Sequence, residues 1–383
     1  MRNLLRHRSR GQHLRKLSLL VAVLATSACA GGYQLRPRAT SASLSPHPIA
    51  WHEPALVGDR AQIGRWRDAV GSPLIIPATT TGPAVDGLTL VSWNIALDSG
   101  DIVRAVRDVQ AAAPGTPIVL LLQEAFRSGD DIPASPQAAA FAGFLGSSNR
   151  AREIDDVARA LGYSLYYVPS MRNGAPGRHR EDRGNAILSS MPLEGLTAIE
   201  LPFERQRRVA LSAQIRGVTS RGEPWRLRLA TVHLDNMAAL SRGWIGGEYA
   251  RTRQARGLRE ALRGDDPLVL AGDFNTWFGF RDQAYLETVR DYPQTRLTDT
   301  RRTFRGLLRL DHVFYRLPEG WSAEVRRAES SYGSDHHPLI ATIRFQGSDL
   351  DSCATVHRRE QSRKNQDLTP VLECWFVSPP KPA

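Results

Sequence analysis

The stretch LVLAGDFNTW, residues 268–277, joins an apolar run to polar residues that follow it directly. Residues 268–271 predict a buried strand, because a short apolar run bounded by glycine is typical of one. Asp273 and Asn275 come immediately after this strand and Gly272. By itself the pair is also compatible with an Asx turn, so its meaning depends on similar positions elsewhere in the chain.

Other predicted strands carry polar residues at the same kind of position. Apolar runs at 88–93, 118–122 and 227–232 stop at or near Asn94, Glu124 and His233. Two later strands begin beside Asp311 and after the Asp335–His336 pair. Strand ends in a sandwich of sheets share one rim, so these side chains are expected to converge on a single site.

The remaining pattern predicts an α+β fold. Strands outnumber the helices predicted at 101–113, 152–161 and 248–262, and several neighbouring strands are suited to pair as hairpins. Two packed sheets with helices outside would house this many strands. We predict an export signal at 1–30, a Pro/Ser/Ala-rich tether and covering segment at 31–86, a catalytic domain at 87–346 and an irregular tail at 347–383.

Seven motifs stand in a fixed order across residues 88–345: SWN, LLQE, GNAILSS, TVHLDN, AGDFNTW, LDHVFY and SDHHPL. In this order they resemble the endonuclease/exonuclease/phosphatase superfamily, which includes deoxyribonucleases, apurinic endonucleases and neutral sphingomyelinases. The resemblance implies a four-layer α/β-β/α sandwich of two mainly antiparallel sheets flanked by helices. It also implies hydrolysis of a phosphate ester with one or two Mg²⁺ or Mn²⁺ ions.

The resemblance also assigns roles to individual residues. Hard cations prefer oxygen ligands, and phosphoryl transfer needs its negative charge neutralised and its nucleophile held in line. Which group acts as the general acid stays open at this point. The expected sets are Asn94, Glu124 and Asp335 for the metal, His233, Asp273, Asn275, Asp311 and His336 for catalysis, and Arg208 for the substrate phosphate.

The amino-terminal segment has the layout of a bacterial export signal. Residues 1–16 hold five arginines, one lysine and no acid, and an apolar run at 17–28 leads to small residues around Cys29. The run is shorter than the roughly 20 residues that span a bilayer. The segment fits both a simple cleavage site and a lipobox that would place a lipid on Cys29. Periplasmic, outer-membrane lipoprotein and secreted destinations therefore all stay open.

Charge and cysteines add weaker constraints. Removal of residues 1–28 lowers the formal net charge from +11 to +5, a mildly basic value that does not demand a nucleic-acid substrate. Cys353 and Cys374 lie in the tail, and an oxidising compartment would favour a disulfide between them. Such a loop would contribute roughly 3 kcal/mol. Two free surface thiols are the alternative.

Export leaves two substrate classes, nucleic acids and phospholipids such as sphingomyelin. A nuclease needs basic residues near the rim, and a lipid enzyme needs an exposed aromatic loop, for which residues 244–247 and 277–280 are candidates. The glycines beside Trp244 predict a mobile loop. A non-catalytic binding module is disfavoured because every expected site residue is present, and we expect a monomer without a protein partner. The basic candidates are Arg172, Arg178, His179, Arg180 and Arg183.

Overall fold

The computed structural model describes residues 35–38, 47–78, 84–97, 99–134, 152–173, 180–236, 238–296 and 298–345. The predicted export signal with Cys29, the tail and the predicted Cys353–Cys374 disulfide lie outside these residues. Among the helices of the described part, none combines the length and apolar character needed to cross a membrane.

Two seven-stranded sheets form the centre of the described structure. Most neighbouring strands are antiparallel, and the parallel pairs are 50–54 with 194–200, 87–94 with 118–128, and 224–233 with 268–273. In spatial order, sheet A contains β1 (Leu35–Pro37), β2 (Ala50–Pro54), β8 (Glu194–Glu200), β9 (Val209–Val218), β10 (Pro224–His233), β11 (Leu268–Asp273) and β12 (Asp311–Arg316). Sheet B contains β13 (Ser322–Arg327), β14 (Leu339–Arg344), β4 (Gly87–Asn94), β5 (Ile118–Ser128), β7 (Glu181–Ser189), β6 (Ser164–Asn173) and β3 (Leu74–Ile76).

Helices cover the outer face of each sheet. The first turn of the second helix is capped by Asp101, whose side chain accepts a hydrogen bond from the backbone N–H of Arg104 at 3.0 Å. Such a cap satisfies a helix-end donor that has no partner within the helix. The α-helices are α1 (Val57–Arg67), α2 (Ile102–Ala112), α3 (Ile154–Leu161), α4 (Ala238–Ala261) and α5 (Gln283–Val289).

Three apolar clusters hold these layers together. The first lies between the two sheets and includes Leu121 of sheet B and Leu229 of sheet A. The second joins the outer face of sheet B to α2 and α3, and the third joins the outer face of sheet A to α4 and α5 through residues such as Leu258. This stacking of helix, sheet, sheet and helix confirms the predicted four-layer α+β sandwich.

Some local predictions differ from the structure. Strands β8 and β13 and helix α5 were not predicted, and residues 244–247 lie within α4 rather than in a mobile loop. Glycine costs a helix only about 1 kcal/mol relative to alanine, and packing of Ala255 and Leu258 against sheet A offsets it. The segment expected as tether and cover supplies β1, β2, β3 and α1, so it adds edge strands to both sheets.

Strand directions bring the predicted site residues to one rim. The parallel pairs β4–β5 and β10–β11 run toward the same edge, where β4 ends at Asn94 and β10 and β11 end at His233 and Asp273. Strand β12 is antiparallel to β11 and begins at Asp311, directly opposite Asp273. Alternating direction therefore lets both the ends and the beginnings of strands supply polar side chains at this rim.

Gly272 lies at a point of the rim where the neighbouring strand leaves no room for a side chain. Its φ is +151°, and a Cβ at this position would lie 2.0 Å from the carbonyl oxygen of Val232. We expect Gly272→Ala to lower the free energy of unfolding by more than about 2 kcal/mol, because it adds both backbone strain and a clash with a neighbouring strand.

The matched control is Gly58→Ala in α1, where a Cβ meets nothing within 4 Å. An alanine in a helix should leave stability unchanged or raise it by up to about 1 kcal/mol. Urea unfolding of both variants makes the comparison, and equal stabilities would contradict the role given to Gly272.

Candidate active site

His336 and Asp311 form the tightest polar contact at the rim. Nδ1 of His336 lies 2.8 Å from Oδ2 of Asp311, and both side chains are buried. The backbone around His336 is fixed as well, because its carbonyl accepts a hydrogen bond from Trp93 Nε1 at 2.9 Å and its N–H donates to Ser334 Oγ at 3.0 Å. The imidazole is thus oriented from both sides, with Nε2 directed away from Asp311.

Asp273 lies at the centre of the site. Its Oδ1 accepts the backbone N–H of Asn275 at 2.8 Å, and its Oδ2 accepts Nδ2 of Asn94 at 3.1 Å. The same Oδ2 is 3.5 Å from Nε2 of His233 and 3.8 Å from Nε2 of His336. One carboxylate oxygen therefore lies close to both histidine nitrogens, slightly beyond ordinary hydrogen-bond distance.

Burial and neighbouring charges shift the pKa values of Asp273, His336 and His233 in different directions. Burial, together with nearby Asp311, raises the pKa of Asp273 to about 7. Burial opposes the charged form of His336, but Asp311, its hydrogen bond and Asp273 prevail and raise the pKa of His336 to about 10. Burial and the positive charge of Arg208 lower the pKa of His233 well below its ordinary value. At neutral pH, His336 is protonated, His233 is neutral and Asp273 is poised to exchange a proton.

Glu124 reaches the rim through a β-bulge. The register between β5 and β7 shifts between Leu122 and Ala125, and Glu124 takes a left-handed backbone conformation with φ of +58°. A bulge of this kind redirects a side chain that would otherwise follow the strand alternation. The carboxylate of Glu124 lies 4.0 Å from Nδ1 of His233, and within the described residues it accepts no hydrogen bond.

Asp335 lies beside His336 but faces the solvent side of the rim. Its Oδ1 is 4.0 Å from Nε2 of His336, and its Oδ2 accepts hydrogen bonds from Arg305 Nη2 at 3.1 Å and Nε at 3.3 Å. Arg305 is exposed, so this ion pair is weak. A divalent cation can displace such a partner from the carboxylate.

The donors at the rim fit a hard divalent cation. Asn94, Glu124 and Asp335 offer oxygen atoms only, as Mg²⁺ and Mn²⁺ prefer, and the Glu124 carboxylate is free of hydrogen bonds within the described chain. A second possible group consists of Asp273, Asp311 and His336, whose candidate ligand atoms lie within 4.8 Å of one another. We favour the first set, because Asp311 and His336 already pair with each other through a 2.8 Å hydrogen bond.

Arg208 approaches the site from β9. Its Nη2 donates to Gln206 Oε1 at 2.9 Å and Asn236 Oδ1 at 3.1 Å, both neutral amide oxygens. Burial lowers the pKa of Arg208, and the charges of Glu124 and Asp273 are close enough to affect it. The guanidinium therefore lies beside the carboxylates without pairing with any of them in the described structure.

The structure describes three of the five predicted basic residues, Arg172, Arg180 and Arg183. Arg172 is fully buried and donates to the backbone oxygens of Ala69 and Pro133, so its assignment to a substrate-binding surface was wrong. Arg180 pairs with Asp130 at 3.2 Å. Arg178 and His179 lie outside the described residues. Arg183 is half-buried and is the member of this set whose charge acts on Arg208 and His233.

Sequence reasoning missed the turn that carries Arg305. The ring of Phe304 packs against His336 with 4.8 Å between ring centroids, and the N–H of Arg305 donates to the carbonyl of Asp335 at 2.9 Å. The stretch TFRG at 303–306 has no apolar period or charge cluster that would mark it. Only contact in three dimensions reveals that it supports His336.

Sequence comparison identifies a protein family and several relatives that this chain resembles. The sequence model of the Endonuclease/Exonuclease/phosphatase family matches residues 91–336. A UPF0294 protein of Vibrio parahaemolyticus is 33% identical over 146 residues, or 37% of this chain and 47% of that protein. A UPF0294 protein of Vibrio vulnificus is 35% identical over 28% of this chain and 38% of that protein. The chain thus spans less than half the length of these curated relatives.

Two solved structures have a similar arrangement. An endonuclease/exonuclease/phosphatase from Beutenbergia cavernae is 18% identical, with a TM-score of 0.46 over 68% of this chain and 72% of that one. The human Nocturnin catalytic domain with bound sulfate anion is 17% identical, with a TM-score of 0.45 over 72% of this chain and 98% of that one.

His336 gives stability a testable dependence on pH. A histidine in the unfolded chain titrates near pH 6.5, whereas the folded pKa of His336 is about 10. Its stabilising contribution is therefore complete below about pH 6.5 and is lost as pH rises toward 10. The comparison begins above about pH 7, the pKa of Asp273. Between there and pH 10, the free energy of unfolding of the metal-free wild type should fall by on the order of a few kcal/mol more than that of His336→Gln.

Urea unfolding at several pH values in chelator measures this difference. His337→Gln is the matched control: partial burial lowers the pKa of His337, so that residue titrates below the window. This variant should keep the wild-type slope between pH 7 and 10. Parallel curves for wild type and His336→Gln would show that the ion pair with Asp311 contributes no stability.

Proposed function

The chain belongs to the endonuclease/exonuclease/phosphatase family, and we propose that it is a divalent-metal-dependent phosphodiesterase that cleaves nucleic acid. The observation that carries this proposal is that Oδ2 of Asp273 lies 3.5 Å from Nε2 of a neutral His233 and 3.8 Å from Nε2 of a protonated His336. A buried carboxylate whose pKa is raised to about 7 beside a proton-bearing imidazole provides a base and a hydrogen-bond donor for displacement at phosphorus.

Four residues of the chain have separate roles in the proposed hydrolysis. Asp273, with a pKa of about 7, accepts the proton of the attacking water as the new P–O bond forms. The His336 imidazolium, held by Asp311, donates a hydrogen bond that stabilises the added charge on the phosphoryl group. Asn275 fixes Asp273 through its backbone N–H. Arg208 contacts a phosphate oxygen as the P–O bond of the leaving group breaks, and the leaving oxygen keeps the electron pair of that bond and takes up a proton from water.

Asn94, Glu124 and Asp335 are the residues that would hold the cation, which we propose is Mg²⁺ or Mn²⁺, as one or two ions. When bound, a cation supplies Lewis-acid charge stabilisation to the phosphoryl and leaving oxygens. The open bulge at Glu124 and the weak Arg305–Asp335 pair support this assignment, since both carboxylates can reach a cation without disrupting the buried network.

A phospholipid phosphodiesterase is the second candidate, and two exposed apolar side chains favour it. Phe278 is 46% exposed and follows the GDFN motif closely, and Leu307 is 65% exposed on the turn that carries Phe304. Apolar side chains beside a catalytic rim suit insertion into a lipid surface. A nucleic-acid substrate is nevertheless favoured, because arginines rather than acids border the Glu124 side of the site.

Hydrolysis of bis(4-nitrophenyl) phosphate and of duplex DNA tests the proposal. With Mg²⁺, His336→Gln should lower kcat by about 10²- to 10⁴-fold, because the charge on the phosphoryl group loses its donor. Glu124→Ala should abolish activity, and chelator should do the same to the wild type. Each loss should appear on both substrates.

His337→Gln is the control, because His337 adjoins the site in sequence but its Nδ1 lies 3.1 Å from the carbonyl of Ala328. This variant should keep wild-type rates. Undiminished cleavage in chelator or by His336→Gln would refute the proposed site. Cleavage of sphingomyelin in vesicles, with DNA left intact, would show instead that the protein is a phospholipid phosphodiesterase.

We also propose that the protein is exported, on the strength of the basic, apolar and small-residue layout of residues 1–30. If Cys29 carries a lipid, the full chain produced in a Gram-negative host should fractionate with membranes, whereas Cys29→Ser should appear in the soluble periplasmic fraction. A soluble periplasmic or secreted wild type would exclude the anchor, and a cytoplasmic protein would refute export.

A further inference from the structure

Arg183 is placed by strand geometry toward the active site. On β7, Arg183 lies opposite Phe126 of β5, two residues beyond Glu124. The strand is regular here, since the bulge between β5 and β7 falls on the β5 side. Side chains two residues apart on a strand project from the same face, so Arg183 and Asn185 point the same way.

A hydrogen bond of Asn185 shows that this face of β7 points toward sheet A. Its Nδ2 crosses between the sheets and donates to the carbonyl oxygen of Val209 at 2.8 Å. Val209 is the residue next to Arg208 in the chain. Arg183 therefore projects toward the Arg208 end of sheet A, two residues farther outward than Asn185 and level with Phe126.

Neither of the two arginines is neutralised by an ion pair with a described residue. Arg208 donates to the amide oxygens of Gln206 and Asn236, and Arg183 has no carboxylate within 4.0 Å in the described structure. The effect of Arg183 on the pKa of Arg208 and of His233 agrees with its proximity to both. The carboxylate of Asp235 partly compensates the charge of Arg208, and Arg183 adds positive charge beside the rim that favours an anion with more than one charge.

We propose that Arg183 binds a second phosphate of the substrate, adjacent to the scissile phosphate at Arg208, and thereby selects polyanionic chains. The inference rests on the proposed phosphodiesterase function and specifies its substrate. Guanidinium groups pair with phosphate oxygens through strong charge-assisted hydrogen bonds. A nucleic acid supplies successive phosphates, whereas a choline phospholipid places a cationic group beyond its single phosphodiester, which Arg183 would repel.

Calorimetry in chelator measures binding of small phosphate compounds without metal and without turnover, and therefore tests the role of Arg183. The probes are thymidine 3′,5′-bisphosphate, whose phosphates flank one nucleoside, the two thymidine monophosphates, and phosphocholine. The wild type should bind the bisphosphate at least about tenfold more tightly than either monophosphate, because a second charged contact is made. Arg183→Gln should reduce that preference to about twofold or less, and Arg183→Lys should retain most of it.

Arg180→Gln is the matched control, because Arg180 precedes the same strand but pairs with Asp130 on the surface. It should keep the full preference. A wild type without the preference, an Arg183→Gln variant that retains it, or tighter binding of phosphocholine than of the monophosphates would overturn the inference. Failure of the wild type to hydrolyse bis(4-nitrophenyl) phosphate with Mg²⁺ would instead refute the proposed function, and calorimetry would still decide the role of Arg183.

Discussion

The hydrogen bond between His336 and Asp311 joins the two sheets at the point where their shared apolar core ends. His336 precedes β14 of sheet B, and Asp311 begins β12 of sheet A. The contacts Asn94–Asp273, Gln123–Thr231 and Asn185–Val209 cross between the sheets in the same way. Buried polar groups are costly unless they are paired, so each bridge requires both sheets to keep their register. The site therefore exists only while the sandwich is fully assembled.

This arrangement also explains why neighbouring groups of the same chemical type behave differently. His233 and His336 both approach Oδ2 of Asp273. His336 has the Asp311 carboxylate on its other nitrogen, whereas His233 is buried near the positive charge of Arg208. One imidazole is consequently charged and the other neutral at the same pH. Environments that separate the pKa values of like groups are a common basis for acid–base chemistry.

Local strain is concentrated where side chains leave the regular sheet. Glu124 and Asn275 both have positive φ, at +58° and +50°, conformations that are uncommon for residues other than glycine. The bulge at Glu124 turns its carboxylate out of the strand alternation, while the β7 strand opposite stays regular and carries Arg183. Glu124, the carboxylate proposed to hold the cation, and Arg183 thus come from neighbouring strands of sheet B, whereas Arg208 comes from sheet A.

The sequence by itself determined most of the central strands, their polar ends and the candidate site residues that follow them, because apolar runs and the motifs around Asp273 and His336 are local signals. It did not reveal that residues 244–247 continue a helix, that Arg172 is buried or that Arg305 pairs with Asp335. Strands β8 and β13 were missed because a mixed polar pattern is stabilised there by neighbouring strands rather than by its own period. Protonation states, and the absence of an ion pair between Arg183 and any described residue, were decided by tertiary structure alone, because desolvation and Coulomb interactions depend on distances between residues far apart in the chain.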